Sequence, residues 1–158
     1  MSYWRFGAMI VTSTIIMYGL MYLNSWEFSH VWYSQTRTWM AVYMGAVMAI
    51  VMLVFMLGMY TNKGLNIAIF GGASVVFLLA LYLVRSQVTV NDVSWMEAMI
   101  PHHSIAILTS SRANISDPRV RKLADGIIKA QELEIKEMEA LIADLRGGAK
   151  ATPAIDGK

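Results

Sequence analysis

The chain has 158 residues, of which 56% are hydrophobic and only 15% are charged, and its formal net charge is +2. About a quarter of the residues in an ordinary soluble domain are charged, so this composition favours a membrane protein, and the small net charge argues against nucleic-acid binding. The sequence contains no cysteine, which excludes disulfides, thiolate metal sites and cysteine nucleophiles. Any site for a soft metal must therefore use methionine and histidine.

The first predicted element is a membrane span over residues 6–23. It follows Arg5, carries no charge and is just long enough to cross a bilayer. A cleaved signal peptide is the rival interpretation. We favour a retained span, because no small-x-small cleavage site follows it and Tyr18, Tyr22 and Trp26 crowd its exit.

Residues 24–38 are predicted to form a connecting loop with an interfacial character. Its tryptophan, tyrosine and phenylalanine side chains favour the headgroup zone of a bilayer. His30 is the only histidine in this loop, and such a residue is more often a solvated side chain than a ligand. We therefore predict that His30 is solvated.

Two further spans are predicted, over residues 39–60 and 65–84. The four residues between them leave room only for an antiparallel hairpin. Three spans in all would place the N-terminus and the C-terminal domain on opposite sides of the membrane. The basic residues that flank the spans are divided evenly between the two sides, so charge does not decide the orientation.

A row of methionines runs along the second span, with one methionine every four residues. A step of four drifts by only about 40° per turn, so these side chains form a slowly winding ridge. The row consists of Met40, Met44, Met48, Met52 and Met56. Packing between helices is the plainer interpretation, because methionine fills irregular gaps well and no histidine or acid lies within a span. A path for a soft ion is the alternative.

After residue 85 the long apolar runs give way to segments that contain charged residues. These segments predict a helical hairpin outside the membrane. We divide the chain into an anchor over residues 1–85, a linker over 86–91, a hairpin over 92–146 and a flexible tail over 147–158. Asn91 or Asp92 is expected to cap the first hairpin helix. Pro101 predicts a kink inside that helix, or alternatively a fresh helix start.

The second hairpin helix is predicted to begin at an N-cap on Ser116. Asp117 and Pro118 would then occupy its first turn, where both residue types are favoured. Gly147 would end the helix. The two hairpin helices are therefore joined by a short turn and must run antiparallel.

The stretch 96–103, with the sequence MEAMIPHH, carries the main chemical signal. On a helix, Met96, Met99 and His103 share one face, and His102 lies about 100° away but still within reach of Met99. Thioether and imidazole together are the ligands that reduced copper prefers. The stretch therefore predicts a soft-metal site.

The second hairpin helix supplies the facing residues. A spacing of four and three predicts an inward seam, whose members are Ile127, Gln131, Glu134, Met138, Leu141 and Leu145. The corresponding seam of the first helix is Met96, Met99, His103, Ala106 and Ser110. A carboxylate in an apolar seam is costly unless it is paired or binds a metal. Antiparallel packing would bring Met99 and His103 to the level of Glu134 and Met138.

Ordinary packing offers a second explanation of the same residues. His102 and His103 could be core histidines bonded to Glu134 and Gln131, with the methionines filling space. The hairpin helices contain no ExxH pair, so a ferritin-type di-iron site is not expected there. The sequence has no phosphate loop, dinucleotide fingerprint or nucleophile–base constellation, and we expect no enzymatic activity.

The segments MIPHHSIAI and SDPRVRKLADGIIKAQELEIKEM resemble the domain-of-unknown-function 305 family, over residues 93–145. The resemblance implies a ferritin-like helix arrangement, and some members of the family bind copper in the bacterial envelope. The positions that match are Met99, His102, His103, Gln131, Glu134 and Met138. Leu108 stands where the family commonly has methionine, which is expected to weaken or reshape copper binding. The resemblance also favours an orientation in which the N-terminus lies inside the cell and the C-terminal domain lies outside the inner membrane, in the periplasm.

These observations predict an all-α protein with three transmembrane helices and a two-helix hairpin. One hairpin cannot bury a core alone, so we expect a homodimer or larger homo-oligomer that completes a four-helix bundle, with the seams near the interface. The metal ligands would be Met96, Met99, His102, His103, Glu134 and Met138, with Gln131 orienting an imidazole.

The predicted function is copper binding, as Cu(I) or a related transition metal, for buffering or relay at the outer face of a bacterial inner membrane. Relay of the ion would also involve a copper-handling partner protein. The alternative is a structural or adaptor subunit whose polar seam sets the register of assembly. Ion permeation along the methionine row is a third hypothesis.

Overall fold

The computed structural model describes residues 2–151, and over that range all the regular secondary structure is helical. In order, the elements are α1 (Tyr3–Leu20), a short 3-10 turn (Phe28–His30), α2 (Gln35–Phe55), α3 (Lys63–Ser86), α4 (Asp92–Arg112) and α5 (Pro118–Leu145). The all-α prediction is confirmed for this part of the chain. Most of the predicted tail lies outside the described residues, namely residues 152–158.

The helices form two compact units. The first contains α1, α2 and α3, and the second contains residues 22–34 together with α4 and α5. Residues 22 and 23 were predicted to end the first span, and residues 24–34 to belong to the connecting loop of the anchor. The contacts of residues 22–34 instead assign them to the same unit as the hairpin.

Within residues 2–151, two helices are long and apolar enough to cross a membrane, α2 and α3. The prediction of three such spans is therefore not supported. The first predicted span is helical, but α1 has only 18 residues and includes Arg5, Thr12, Ser13 and Thr14. With these side chains, α1 falls short of the apolarity that α2 and α3 reach.

The two apolar helices differ from their predicted bounds for identifiable reasons. α2 begins four residues early, because the polar residues 35–38 form its first turn instead of a loop. α3 begins at Lys63 because the Asn62 side chain accepts a hydrogen bond from the Leu65 backbone N–H and caps the helix. It ends at Ser86, because the next residue, Gln87, is in the left-handed conformation.

α1 runs antiparallel to α2, and polar contacts hold both of its ends. At one end the Tyr3 hydroxyl donates to Asn66 Oδ1 at 2.9 Å, and Asn66 Nδ2 donates to the Tyr60 carbonyl at 2.7 Å. At the other end Arg37 Nη1 donates to the Met21 carbonyl at 2.9 Å, just past the end of α1. Each contact satisfies a polar group that would otherwise be costly in an apolar environment.

Gly45 allows the close approach of α1 and α2. A Cβ atom at this position would lie 2.5 Å from Thr14 Oγ1, which is itself bonded to the Ile10 carbonyl. We expect Gly45→Ala to destabilise the first unit by about 1–3 kcal/mol, the usual cost of overpacking. The free energy of unfolding in detergent measures this effect.

Gly71→Ala in α3 is the matched control, since a Cβ there meets nothing within 4 Å. It is expected to be neutral or slightly stabilising, because alanine is the better helix former. Adding Thr14→Ala to Gly45→Ala should restore most of the lost stability. Equal effects of the two glycine substitutions would contradict the close contact.

The hairpin helices begin at two different types of cap. Asn91 caps α4, as predicted, by accepting a hydrogen bond from the Ser94 N–H. The prediction of Ser116 as the cap of α5 is wrong, because the Asp117 carboxylate accepts from the Arg119 N–H and fills that role. Bonds from the Arg119 side chain and backbone also lower the pKa of Asp117 below its usual range.

α4 continues without interruption through Pro101. The alternative that a new helix starts at Pro101 is therefore wrong.

The core between α4 and α5 uses a seam that differs in part from the predicted one. The buried side chains of α5 are Ala124, Ile135, Met138 and Ile142, and those of α4 are Met96, Ile100, Pro101, His103, Ser104 and Ile107. Of the predicted α5 seam, Met138 is buried, whereas Ile127, Leu141 and Leu145 are exposed. The prediction was wrong for these three because α5 carries two apolar stripes with the same spacing, and the other one packs on α4.

Residues 22–34 pack along the hairpin through one buried hydroxyl. Ser104 is fully buried. Its Oγ accepts a hydrogen bond from the Trp26 backbone N–H at 2.7 Å and lies 3.1 Å from His30 Nδ1. Trp32 packs against the core cluster of the hairpin. The prediction that His30 is solvated is wrong, because this docking leaves its side chain only 13% exposed.

Candidate metal site

His103 is the centre of the candidate site, and both of its ring nitrogens have partners. Nδ1 lies 3.0 Å from the carbonyl oxygen of Met99, one turn earlier on α4. Nε2 lies 2.6 Å from Glu134 Oε2 on α5. The Gln131 amide donates to the same carboxylate oxygen at 3.2 Å. His103, Glu134 and Gln131 therefore form one hydrogen-bonded group.

These contacts define which nitrogen of His103 is available to a ligand. A carbonyl oxygen only accepts, so Nδ1 must carry the proton that it donates to Met99. Nε2 is then the nitrogen that could bind a metal, once the proton that it shares with the Glu134 carboxylate has been lost. In this structure Nε2 is engaged by Glu134, and a separation of 2.6 Å leaves no room for an ion between the two atoms. A metal at Nε2 would require the carboxylate to move.

The carboxylate has the freedom to move. The Glu134 side chain is 51% exposed, whereas the His103 side chain is 10% exposed. The imidazole is thus fixed in the hairpin, and the acid approaches it from the solvent side. Glu134 can act as a removable cover on Nε2 or as an oxygen ligand beside it.

Three thioethers belong to the same region of the hairpin. Met96 and Met138 are 5% and 6% exposed members of the core cluster between α4 and α5, and Met99 packs against this cluster. The bond between His103 and Glu134 fixes the antiparallel register of the two helices. Met99 precedes His103 by one turn, and Met138 follows Glu134 by one turn, so they lie at the same level.

His102 does not join this group. It is exposed, and its ring centroid lies 6.3 Å from that of His103. Consecutive residues of a helix point about 100° apart, so burying one of two adjacent histidines turns the other outward. The predicted ligand set of six is therefore divided, with five of its members near the hairpin seam and His102 on the surface.

The donor set tests which kind of metal would fit. Within the described part of the chain, no group of three or more histidine and carboxylate side chains is arranged to hold a metal. Zinc and iron sites normally require such groups. The site offers mainly sulfur with one imidazole nitrogen, which fits a soft ion such as Cu(I).

Sequence reasoning missed the contribution of residues 22–34 to this unit. Ser104 adjoins His103 but points to the other side of α4, where it binds Trp26 and His30. The signal available was a serine in an apolar stretch, which has to find a buried partner. Nothing in the local pattern identified that partner some 75 residues away.

Residues 82–152 match the model of a family described as Domain of unknown function (DUF305). This match supports the resemblance noted in the sequence and extends it by several residues at each end. The chain is also 36% identical over 69 residues to the protein named Uncharacterized protein L153 of Acanthamoeba polyphaga mimivirus. The alignment covers 42% of this chain and 45% of that relative, which is less than half of its length. No solved structure matches the chain significantly.

Proposed function

We propose that the hairpin of this protein binds Cu(I) through the sulfur atoms of Met96, Met99 and Met138 and the Nε2 nitrogen of His103. The observation that carries the proposal is that Met96 and Met138 are buried, and Met99 packed, in the same helix pair as a buried imidazole whose Nδ1 is already committed. Such a donor set is soft, and Glu134 is the one carboxylate beside it. Another soft transition metal is a less favoured occupant.

Glu134 has a regulating role in this proposal. With no metal bound, it satisfies the Nε2 side of the His103 ring, and Gln131 holds the carboxylate in place. On metal binding, Glu134 swings aside toward solvent or serves as an additional oxygen ligand. Either way the buried imidazole is never left without a partner, which would be costly.

The proposed location is a membrane surface, with the hairpin on the outer face of a bacterial inner membrane. α2 and α3 are joined by a short turn and so return the chain to the side from which it entered. Residues 22–34 precede this helix pair and α4 follows it, and both belong to the same unit. We propose that α1 crosses with them, since its two ends are tied to Asn66 and Arg37. The role there would be to buffer copper or relay it to a partner.

Conservative methionine substitutions test the ligand set. We expect Met99→Leu together with Met138→Leu to reduce copper in the purified, reduced protein from about one ion per chain to a small fraction of that. Leucine keeps the volume, so the fold should lose less than about 1.5 kcal/mol per site. Metal quantification of copper and zinc, with circular dichroism as the folding check, measures both effects.

Met52→Leu is the matched control for this experiment. Met52 packs in the core of the first unit and is outside the proposed site. Its substitution should leave copper content unchanged. Copper retained by the double variant, or zinc bound in preference to copper by the parent protein, would contradict the proposal.

A structural or adaptor role is the second candidate, and one observation favours it. The bond between His103 and Glu134 already satisfies both groups without a metal, as expected for a polar pair that sets helix register. In that case the purified protein would contain no stoichiometric copper, and His103→Ala would change assembly instead. The metal quantification above separates the two roles.

A further inference from the structure

α5 has an apolar surface that is not covered within the chain. Leu123, Ile127, Leu141 and Leu145 are between 37% and 64% exposed, and Val120 is 49% exposed. With Ala130 and Glu134 they follow a spacing of three and four along one side of the helix. We call this set, from Val120 to Leu145, the outer stripe. Its centre is rotated by about 100° from the stripe that packs on α4.

The outer stripe has the pattern of a surface that packs on another helix. A lone exposed leucine needs no explanation, but a row repeated over 26 residues resembles a coiled-coil seam. An open groove of about 520 Å³ lies along its N-terminal half, lined by Lys122, Leu123, Gly126 and Ile127 among others. Gly126 and Ala130 are small, and a second helix could approach closely there.

The charges beside the stripe indicate which partner fits. The exposed residues flanking its N-terminal half include Lys122 and Arg119, and those flanking its C-terminal half include Glu137 and the half-buried Asp144. Two α5 helices in parallel would place Lys122 beside Lys122 and Glu137 beside Glu137. Two α5 helices in antiparallel orientation would place each Lys122 beside Glu137 of the other copy.

We propose that α5 pairs through its outer stripe with α5 of a second copy of this chain, antiparallel and with the twofold axis close to Ala130. In this register Val120 of one copy meets Leu141 of the other, and Ile127 packs over the aliphatic stem of Glu134. The interface is isologous, as expected for a closed dimer. It shares part of the predicted seam, including Ile127 and Leu141, but lies on a different face from the side chains that pack on α4, and it does not depend on the binding of metal.

Engineered cysteines test this arrangement without background, because the natural chain has none. One tagged copy carries Val120→Cys, and a second copy with a different tag carries Leu141→Cys. The two copies are expressed together, and the membranes are treated with diamide. We expect a disulfide between the two tags, since the Cβ atoms of facing residues come within bonding range. Val120→Cys expressed alone should not cross-link with itself.

A control pair sits at the same level of α5 but on the opposite side of the helix. Asp125→Cys with Lys136→Cys has the same register about Ala130, and both side chains are exposed, yet this pair should not cross-link. Cross-linking of Val120→Cys with itself would indicate a parallel pair. That result, or the lack of any cross-link for the Val120 and Leu141 pair, would overturn the proposal.

Charge reversal gives an independent test of orientation. Lys122→Glu alone and Glu137→Lys alone should each weaken dimerisation by roughly three- to tenfold, because two contacts change per dimer. The double variant should restore the parental dimer, as measured by analytical ultracentrifugation in detergent. Failure of the double variant to recover while each single variant weakens the dimer would contradict the antiparallel pairing.

The failure of this proposal is distinguishable from the failure of copper binding. The cross-link is expected in metal-free membranes, and also in the variant that combines Met99→Leu with Met138→Leu. If copper is lost while the cross-link is preserved, the result bears on the metal site alone and the interface proposal stands. A preserved copper site without a cross-link would reject the dimer alone.

Discussion

His103→Ala is expected to remove nearly all bound copper from the purified protein, whereas His102→Ala should leave the copper content unchanged. The two histidines are neighbours in sequence, but His103 is buried beside Met99 and Glu134 while His102 is exposed. Only His103 is buried in the helix pair that also holds the thioethers. Copper quantification on the reduced protein measures the difference.

The pair of histidine variants contains its own control for folding. His103→Ala leaves Glu134 without its partner, but this carboxylate is half exposed and can be hydrated, so the fold should persist. Circular dichroism of both variants should show the helical content of the parent. Equal copper loss in the two variants would mean that both histidines ligate, as the sequence alone suggested.

Ile100→Ala is expected to produce the largest loss of stability in the second unit, about 2–5 kcal/mol. Ile100 is completely buried between α4 and α5, where it contacts the cluster that contains Met96 and Met138. Removing its side chain loses the transfer free energy and leaves a cavity. Denaturant unfolding of the detergent-purified protein measures the change.

Leu133→Ala is the matched control for the core substitution. Leu133 lies on α5 and is 58% exposed, so its truncation should alter the free energy of unfolding by no more than about 0.5 kcal/mol. Because copper would bind beside Ile100, the Ile100→Ala variant should also lose part of its copper affinity. An Ile100→Ala variant as stable as the parent would contradict the packing of α4 on α5.

The sequence was sufficient to predict the helices of the hairpin and their pairing. The change from apolar to charged residues marked the end of the apolar helices, and Asn91 marked the start of α4. The antiparallel register also followed from sequence, since a short turn and the position of Glu134 placed it opposite His103. The bond between these two side chains agrees with that prediction.

The face of α5 that enters the core could not be deduced from periodicity. Ile127, Leu141 and Leu145 share one face of a helix, and Ile128, Ile135 and Ile142 share the neighbouring face, so both sets satisfied the helical periodicity. The two stripes differ by one residue, which is about 100° of rotation. Only the packing of α4 decides between them, and that information is not local.

The remaining differences also have nonlocal or competing local causes. Ser116 and Asp117 are both good capping residues. Which of them caps α5 depends on the residue at which the backbone becomes helical, and this is Pro118. The docking of His30 depends on Ser104, far away in the chain. The first span was predicted from the lack of charge over residues 6–23. The hydroxyl side chains of α1 lower its apolarity, and counting charges does not detect them.

Copper K-edge X-ray absorption spectroscopy of the reduced, copper-loaded protein tests the metal site most directly, because it identifies the atoms bound to the ion. We predict a first coordination sphere dominated by sulfur with a single imidazole nitrogen, and loss of the sulfur contribution when Met99 and Met138 are replaced by leucine. A coordination sphere that contains only nitrogen and oxygen would contradict the thioether site in the hairpin.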